Sequence, residues 1–335
     1  MKKRKLIVGI DISKNTLDVC FLLNPEIKQQ HLLKVNNCKE GIQRIIKEVK
    51  KLKILLDETS VCFENTGVYG MHLCYYLQSI DVAYYQVPAI EIKRAKGLTR
   101  GKTDKSDAVD IANYAFTHAH KLKRTVLPEE HLIQLKLLLA EREKMIKSIA
   151  VFDTTKENEG FIPKKTLKAI TTINQKTIKL LRSQLAVIDK EIKEIIQSNS
   201  IIKNQFDLAT SVPGVGPQTA INLIVATRCF TAFDNWRKLA CYAGVAPFEY
   251  SSGSSIRGKT KVSHLANKKL KSLLNMAALS AKKYDQQIKL YYERKTGEGK
   301  NGMLVMNAIR CKVLSRVFAT IKRETPYVDF MKYAS

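Results

Sequence analysis

The stretch LIVGID, residues 6–11, decides the fold of the first third of the chain. It is apolar and rich in β-branched residues, which is typical of a buried strand, and it ends on the acid Asp11. A second apolar run, residues 61–63, ends on Glu64 in the same way. A carboxylate at the end of a buried strand is costly unless a cation lies near it. These two strands therefore predict a cation site built on their ends.

The segments around these two strands predict a complete α/β domain. Three strands at 5–11, 16–22 and 29–35 are separated by short turns, which favours an antiparallel meander. Apolar residues then recur with helical spacing between Gly41 and Leu52. A strand (59–64), a helix (about 69–79), a strand (82–87) and a helix from Ala89 follow. This order, βββαβαβα, predicts an RNase H-like domain.

Two further acids, Asp104 and Asp107, lie three residues apart at the start of a predicted helix. Residues at this spacing are neighbours on one helix face. Together with Asp11 and Glu64 they form a set of hard oxygen ligands that suits Mg²⁺, with Mn²⁺ as a substitute. Two such ions about 4 Å apart can clamp the attacking and leaving oxygens of a phosphodiester. Asp110, one turn further along, is a reserve ligand, and the alternative is that each acid only caps or decorates a helix.

The charge of the chain predicts a polyanionic partner. Lys and Arg number 57 against 31 Asp and Glu, which gives a formal charge of +26. Self-repulsion on this scale is costly without a polyanion, and nucleic acid is the first candidate. The alternative is a lysine-rich, AT-biased genome, which would explain part of the excess. The seven cysteines are scattered without a Cys-x-x-Cys pair, which favours buried free thiols in a reducing cytosol. No apolar run reaches about 18 residues, so a membrane span is not expected.

The middle of the chain predicts an antiparallel helical hairpin between two domains. A break near Pro128 is followed by a leucine-rich helix (129–150), an interruption at 158–163 and a second long helix. The second helix carries a possible a/d seam, for which one face of an ordinary globular helix is an equal alternative. The seam also indicates an oligomer contact. Its positions are Ile178, Leu181, Leu185, Ile188, Ile192 and Ile195. The predicted divisions are 1–125, 126–204 and 205–335.

The last third contains two small-residue motifs. In SVPGVGPQTA (211–220), Gly214 and Gly216 predict a helix-hairpin-helix whose amides face a phosphate, with a plain inter-helix turn as the alternative. The serine-rich segment YSSGSS (250–255) is by residue chemistry alone a flexible linker. Arg257, Lys259 and Lys261 follow it directly, and these cations are able to hold a phosphate or nucleic acid. Two amphipathic helices, 265 to about 284 and 303 to about 321, are predicted to close the chain.

These motifs together resemble the DEDD-type transposases of bacterial insertion sequences, which are relatives of the Piv-type DNA invertases. The resemblance covers nearly the whole chain, and its motifs stand in the order of the family. They are GIDISK (9–14), FENTGVY (63–69), KTDKSDA (102–108), VPGVGPQTA (212–220) and YSSGSSIRG (250–258).

The resemblance implies a RuvC-like metal-binding domain, a helical connector and a mostly helical C-terminal transposase domain. It implies a recombinase guided by a structured bridge RNA that pairs with target and donor DNA, acting as a dimer or tetramer in the nucleoid of a prokaryotic cytoplasm. Ser252 matches the family's serine nucleophile, which becomes joined to a DNA end, and Ser251 occupies a position that need not be serine. The metal quartet of the family falls on Asp11, Glu64, Asp104 and Asp107.

Parts of the sequence are also compatible with three other functions. A RuvC-like Mg²⁺-dependent nuclease would cut branched DNA with water, and the absence of a covalent protein–DNA bond would distinguish it. A sugar-kinase-like phosphotransferase is favoured only by GIDISK (9–14), because a second Asp-x-Gly loop is missing and the charge stays unexplained. A silent RNA-binding scaffold would leave the four acids without a role.

Overall fold

The computed structural model describes residues 5–24, 29–95, 104–154, 157, 160–252 and 256–329, with the side chains of 24, 104, 105 and 250–261 outside the description. The chain forms two compact units, Met1–Leu127 and Pro128–Ser335.

The first unit is built on a five-stranded sheet. Its strands are β1 (Leu6–Ile12), β2 (Thr16–Asn24), β3 (Gln29–Asn36), β4 (Thr59–Glu64) and β5 (Ala83–Val87), in the order β3-β2-β1-β4-β5. The first three strands pair antiparallel, whereas β4 pairs parallel with both β1 and β5. The predicted meander and the predicted RNase H-like α/β fold are therefore confirmed.

Helices cover both faces of this sheet. They are α1 (Lys39–Lys51), α2 (Met71–Ser79), α3 (Ala89–Ala95) and α4 (Asp104–Thr117). Alternate residues of β1 face opposite sides, so Val8 and Ile10 pack with α1 and α2, while Ile7 packs with α4. α1 forms because its apolar residues Ile42, Ile45, Ile46 and Val49 recur on one face and are all buried.

The second unit begins with two long helices, α5 (Glu130–Asp153) and α6 (Lys164–Ser198). They pack antiparallel, since Arg142 Nε donates to Asp189 Oδ1 at 2.7 Å while Asn174 near the other end of α6 lies 3.4 Å from the carbonyl oxygen of Phe152. Of the predicted seam, Ile188 and Ile192 are buried, together with Ile196. The start of α5 and the end of α6 pack into one apolar cluster with the two helices that follow α6.

The remaining helices enclose a core of their own. They are α7 (Ser200–Thr210), α8 (Pro217–Thr227), α9 (Trp236–Tyr242), α10 (Lys268–Tyr284), α11 (Gln286–Gly297) and α12 (Gly302–Arg323). Both predicted closing helices are present, as α10 and α12, and the sequence did not predict the helix α11 between them. Asp285 separates α10 from α11 and caps the second, accepting from Ile288 N at 2.8 Å. None of the described helices combines the length and apolarity needed to cross a membrane.

The serine-rich segment is a β-hairpin rather than a flexible linker. Its strands β6 (Pro247–Ser252) and β7 (Ile256–Val262) pair antiparallel, with a register shift between Phe248 and Tyr250. The segment pairs with itself, so its small residues gain ladder hydrogen bonds that make up for their low strand propensity.

Candidate active site

Asp11 and Glu64 lie side by side on neighbouring strands. The parallel register pairs Ile10 with Phe63, and each acid is the next residue on its strand. Adjacent strands are about 5 Å apart, so the two backbones hold these residues as neighbours. Ile10 and Phe63 pack into the cluster on the α1 side of the sheet, so the acids, one residue on, point to the opposite face. Both side chains are half-buried on the side that α4 covers.

Helix α4 lies directly against the backbone of β1. A Cβ atom added to Gly9 would stand 2.4 Å from the carbonyl oxygen of Ala108 and 2.5 Å from the amide nitrogen of Ala112. Ala108 also lines a small cavity with Asp18, the residue that pairs with Asp11 across β1 and β2. The first turns of α4 therefore lie at the Asp11 end of the strand.

The predicted helical ligands occupy these first turns. Asp104 is the first residue of α4, and Asp107 and Asp110 follow on the same helix as half-buried side chains. The side chain of Asp104 lies outside the description. Within the described part of the chain, no three His, Cys, Asp or Glu side chains form a group able to hold a metal ion. The four predicted ligands nevertheless suit a divalent ion, because all of them are carboxylates. Helix α4, which carries two of them, covers the face of the sheet that bears Asp11 and Glu64.

A further acid, Asp18, was missed from the sequence. It pairs directly with Asp11 across the antiparallel strands and is only 4% exposed. On its other side it pairs with Lys34 of β3, whose Nζ lies 3.0 Å from Asp18 Oδ2. Its position in the inward-facing set of β2, with Cys20 and Leu22, was the available signal. The Lys34 ammonium group offsets the charge of Asp18. Asp18 therefore forms an ion pair on the strand next to the predicted ligand Asp11.

Ser252 lies at the tip of the hairpin in the second unit. The pairs Ser251–Arg257 and Ser252–Ile256 are the last ones before residues 253–255, which are outside the description. The backbones of Arg257, Lys259 and Lys261 belong to β7, opposite the serines, while their side chains are not described. The serine and the predicted cations are thus brought together by strand pairing. The metal-ligand candidates and Ser252 belong to different units of the fold.

A polar network ties the chain just before this hairpin to the core. Asn307 Nδ2 donates to the carbonyl oxygen of Val245 at 2.7 Å, two residues before β6 begins. The guanidinium of Arg310 donates to Asn275 Oδ1 at 2.5 Å and to Asn307 Oδ1 at 3.3 Å. Arg310 is only 8% exposed, and burial lowers the pKa of its guanidinium. Among the described residues no carboxylate forms an ion pair with it.

The two glycines predicted to face a phosphate differ in their surroundings. Gly214 has a φ of +92°, and a Cβ atom there would lie 2.3 Å from the carbonyl oxygen of Ala277 on α10. Packing and backbone conformation therefore explain this glycine without a ligand. Gly216 is exposed, precedes Pro217 at the start of α8 and has open space around its Cα. A helix-hairpin-helix contact with nucleic acid stays a prediction.

Two protein-family models match the chain. One, for DEDD transposases of the IS110 type and described as "Transposase", covers residues 8–155. The other, described as "Transposase IS116/IS110/IS902 family", covers residues 207–293. All four predicted metal ligands fall in the first region: Asp11, Glu64, Asp104 and Asp107. Ser252 falls in the second.

Individual relatives agree with these families. A pilin gene-inverting protein from Moraxella bovis is 28% identical over 327 residues, which are 96% of this chain and 98% of that protein. A transposase for insertion sequence element IS1533 from Leptospira borgpetersenii is 34% identical over 110 residues, 33% of this chain and 30% of that one. A solved structure of T. thermophilus RuvC in complex with a Holliday junction substrate aligns with a TM-score of 0.28 and 12% identity over 36% of this chain and 99% of that one.

The fold and the matched regions define a transposase, an enzyme that cuts and rejoins DNA. The chain belongs to the IS110 family of DEDD transposases.

Proposed function

We propose that this transposase is a recombinase that cuts DNA with Ser252 and rejoins it through the same serine. The observation that carries the proposal is the placement of Asp11 and Glu64 on adjacent parallel strands under α4, in a chain whose second family region contains Ser252. The name of the Moraxella relative, a pilin gene-inverting protein, supports a rearrangement in which every broken strand is rejoined.

The chemical step is a transesterification. The Ser252 oxygen attacks the phosphorus of a phosphodiester, a new P–O bond to serine forms, and the bond to one deoxyribose oxygen breaks. The serine proton leaves, and the departing sugar oxygen takes up a proton. Attack by a sugar hydroxyl of another DNA end reverses these changes and frees the serine. The ester keeps the energy of the broken bond, so no nucleotide cofactor is consumed.

Four acids would hold Mg²⁺, with Mn²⁺ as a substitute: Asp11, Glu64, Asp104 and Asp107. A bound divalent ion stabilises the charge that develops on a transferring phosphoryl group. The contribution of the chain is to place two of these carboxylates on the ends of adjacent parallel strands. Arg257, Lys259 and Lys261 on β7 would bind the phosphates next to Ser252.

We further propose that a structured bridge RNA guides the enzyme to target and donor DNA, and that the enzyme acts as a homodimer or homotetramer. The charge of +26 supports a polyanion as a constant partner. The RNA is supported by the family resemblance in the sequence and by this charge. The guide is tested by expressing the protein together with the DNA that flanks its gene and sequencing the RNA that co-purifies with it. A protein free of RNA that binds target DNA sequence-specifically alone would refute it.

The serine step is tested by trapping the protein on DNA. A nicked suicide substrate is incubated with wild type, Ser252→Ala, Ser251→Ala and Asp11→Asn in Mg²⁺, and the adduct is mapped by mass spectrometry after digestion. We expect an adduct on Ser252 in wild type and in Ser251→Ala, and none in the other two variants. An adduct on Ser251 would move the nucleophile by one residue. Cleavage without an adduct would identify the enzyme as a water-dependent nuclease.

A further inference from the structure

A basic cavity lies between α11 and α12 in the second unit, on surfaces that the strand-cleavage chemistry does not use. It encloses about 660 Å³. Its lining includes Tyr291 and Arg294 from α11 and Lys312, Ser315 and Arg316 from α12, and no acidic residue lines it. A cleft lined by charges of one sign concentrates the electrostatic potential and attracts ligands of the opposite sign. The lining therefore favours an anionic ligand.

The cations of this cavity differ in how they are neutralised. Arg316 donates to the buried carboxylate of Asp285 at 2.6 Å, so its charge is offset inside the protein. Arg294 and Lys312 form no ion pair among the described residues and are exposed. Lys295, the neighbour of Arg294, is paired with Glu298 at 2.6 Å. Of the three cations that line the cavity, Arg294 and Lys312 are therefore the two whose charge no ion pair offsets among the described residues.

An aromatic ring holds both of these cations in place. Lys312 Nζ lies 4.5 Å from the centre of the Tyr291 ring, and the guanidinium carbon of Arg294 lies 5.9 Å from it. A cation–π contact is worth about 0.5–1 kcal/mol at an exposed site, which limits the rotamers of a long side chain without neutralising its charge. The ring therefore prepares two positive groups for an anion, and the Ser315 hydroxyl adds a neutral donor to the same cavity.

We propose that this cavity, the Tyr291 cavity, binds the phosphodiester backbone of a nucleic-acid strand. Phosphate oxygens would accept hydrogen bonds from Lys312, Arg294 and Ser315, and the cavity would contribute affinity without reading sequence. The proposal rests on the proposed nucleic-acid partner but not on the serine step. RNA and DNA share this backbone, and the experiment distinguishes them.

The test compares charge-matched variants of the full chain. Arg294→Ala/Lys312→Ala removes the two cations from the cavity. Lys289→Ala/Lys322→Ala removes two exposed lysines from the same two helices outside the cavity. The probes are fluorescein-labelled 20-nucleotide poly(U), 20-nucleotide poly(dT) and a 20-base-pair DNA duplex. Dissociation constants are measured by anisotropy across a series of KCl concentrations, with circular dichroism melting curves to confirm that each variant is folded.

We expect the Arg294→Ala/Lys312→Ala variant to bind at least one probe about 10-fold more weakly than wild type at low salt. The slope of the logarithm of the association constant against the logarithm of the salt concentration should become shallower by about 0.7 per lost phosphate contact on single strands and by about 0.9 on duplex. The Lys289/Lys322 variant should stay within about 2-fold of wild type. The probe that loses affinity identifies the strand. If both double variants lost affinity equally, binding would depend on the overall positive charge of the surface rather than on the cavity, and the proposal would be overturned. Failure of wild type to bind any probe would instead overturn the nucleic-acid partner itself.

A second pair of variants tests the ring. Tyr291→Phe keeps the aromatic face and should retain affinity within about 2-fold, whereas Tyr291→Leu should weaken binding about 3-fold with an unchanged salt slope, since the cations remain but are less ordered. If both variants bound like wild type, the ring would have no part in preparing the site, and the proposal would lose its aromatic element.

Discussion

The carbonyl oxygen of Ala108 occupies the space that a Cβ atom would need at Gly9, since the two would be only 2.4 Å apart. The absence of a side chain at Gly9 is what allows α4 to lie against β1. The position of Asp104, Asp107 and Asp110 relative to Asp11 depends on this close approach. The glycine in GIDISK (9–14) is thus required by packing rather than by contact with a ligand.

Replacing Gly9 with valine is expected to separate α4 from the sheet. Overpacking of this kind costs roughly 1–3 kcal/mol, and the displaced helix should reduce DNA cleavage by more than the loss of stability explains. Urea unfolding and cleavage of a labelled substrate measure the two effects. Gly70→Ala is the matched control in the same unit, because the nearest atom to its added Cβ would be 3.4 Å away. Normal cleavage by a stably folded Gly9→Val protein would show that the helix position is not critical.

Neutral isosteres of the four acids are expected to abolish DNA cleavage while the fold survives. Asp11→Asn, Glu64→Gln, Asp104→Asn and Asp107→Asn should each reduce cleavage by about 100-fold or more, because one ligand and its charge are lost from the proposed metal site. Calorimetric titration with Mn²⁺ should show weaker binding in the same variants. Their melting temperatures should match or exceed that of wild type, since fewer carboxylates repel one another.

Two further variants make the acid test specific. Asp81→Asn is the control, because its side chain is 90% exposed and pairs with Arg124, outside the predicted ligand set. Asp110→Asn distinguishes a reserve ligand from a helix-surface acid. Should any of the four quartet variants cleave within a few-fold of wild type, that acid is not a ligand.

The sequence predicted the N-terminal unit well because the features that define this unit arise from residues close together in the chain. Alternation in residues 6–36 and the two strand-ending acids depend on neighbours in sequence. Parallel pairing of β1 with β4 then brings the ends of these two strands to the same edge of the sheet. Asp18 was missed because its burial and its partner Lys34 depend on the cross-strand register, which sequence spacing does not fix.

The C-terminal unit was predicted less well for physical reasons. The hairpin at 247–262 is rich in serine and glycine, residues of low strand propensity, and only pairing of the segment with itself makes it a strand. The break between α10 and α11 has no glycine or proline, because the single residue Asp285 both follows one helix and caps the next. Composition alone could not show either feature.

The Asp18–Lys34 pair is expected to respond unequally to its two single substitutions. Lys34→Met leaves a buried carboxylate beside Asp11 and should destabilise the protein by about 1–3 kcal/mol. Asp18→Asn leaves a half-exposed ammonium that water can solvate, and should cost less. Urea unfolding of both variants and of the double variant measures the difference. Equal costs for the two single variants would show that Asp18 is better solvated than its 4% exposure indicates.

Loss of the Asn307 amide is expected to loosen the hairpin that carries Ser252. Asn307→Ala removes the donor to the carbonyl oxygen of Val245 and one acceptor of Arg310, which should lower stability by about 1–2 kcal/mol. The more specific expectation is faster amide hydrogen exchange in β6 and β7 with unchanged exchange in α5, measured by mass spectrometry. The kcat for DNA cleavage should fall, because the proposed nucleophile Ser252 is held less firmly.

Asn275→Ala is the matched control for this network. It removes the other acceptor of Arg310, at 2.5 Å, but leaves the bond from Asn307 to Val245 in place. We expect a similar loss of stability and little change in hairpin exchange or in kcat. If Asn275→Ala and Asn307→Ala loosened the hairpin equally, the buried Arg310 rather than the Val245 carbonyl bond would be what positions the strand. If neither did, the hairpin would be held by its own ladder, and the network would serve only the core.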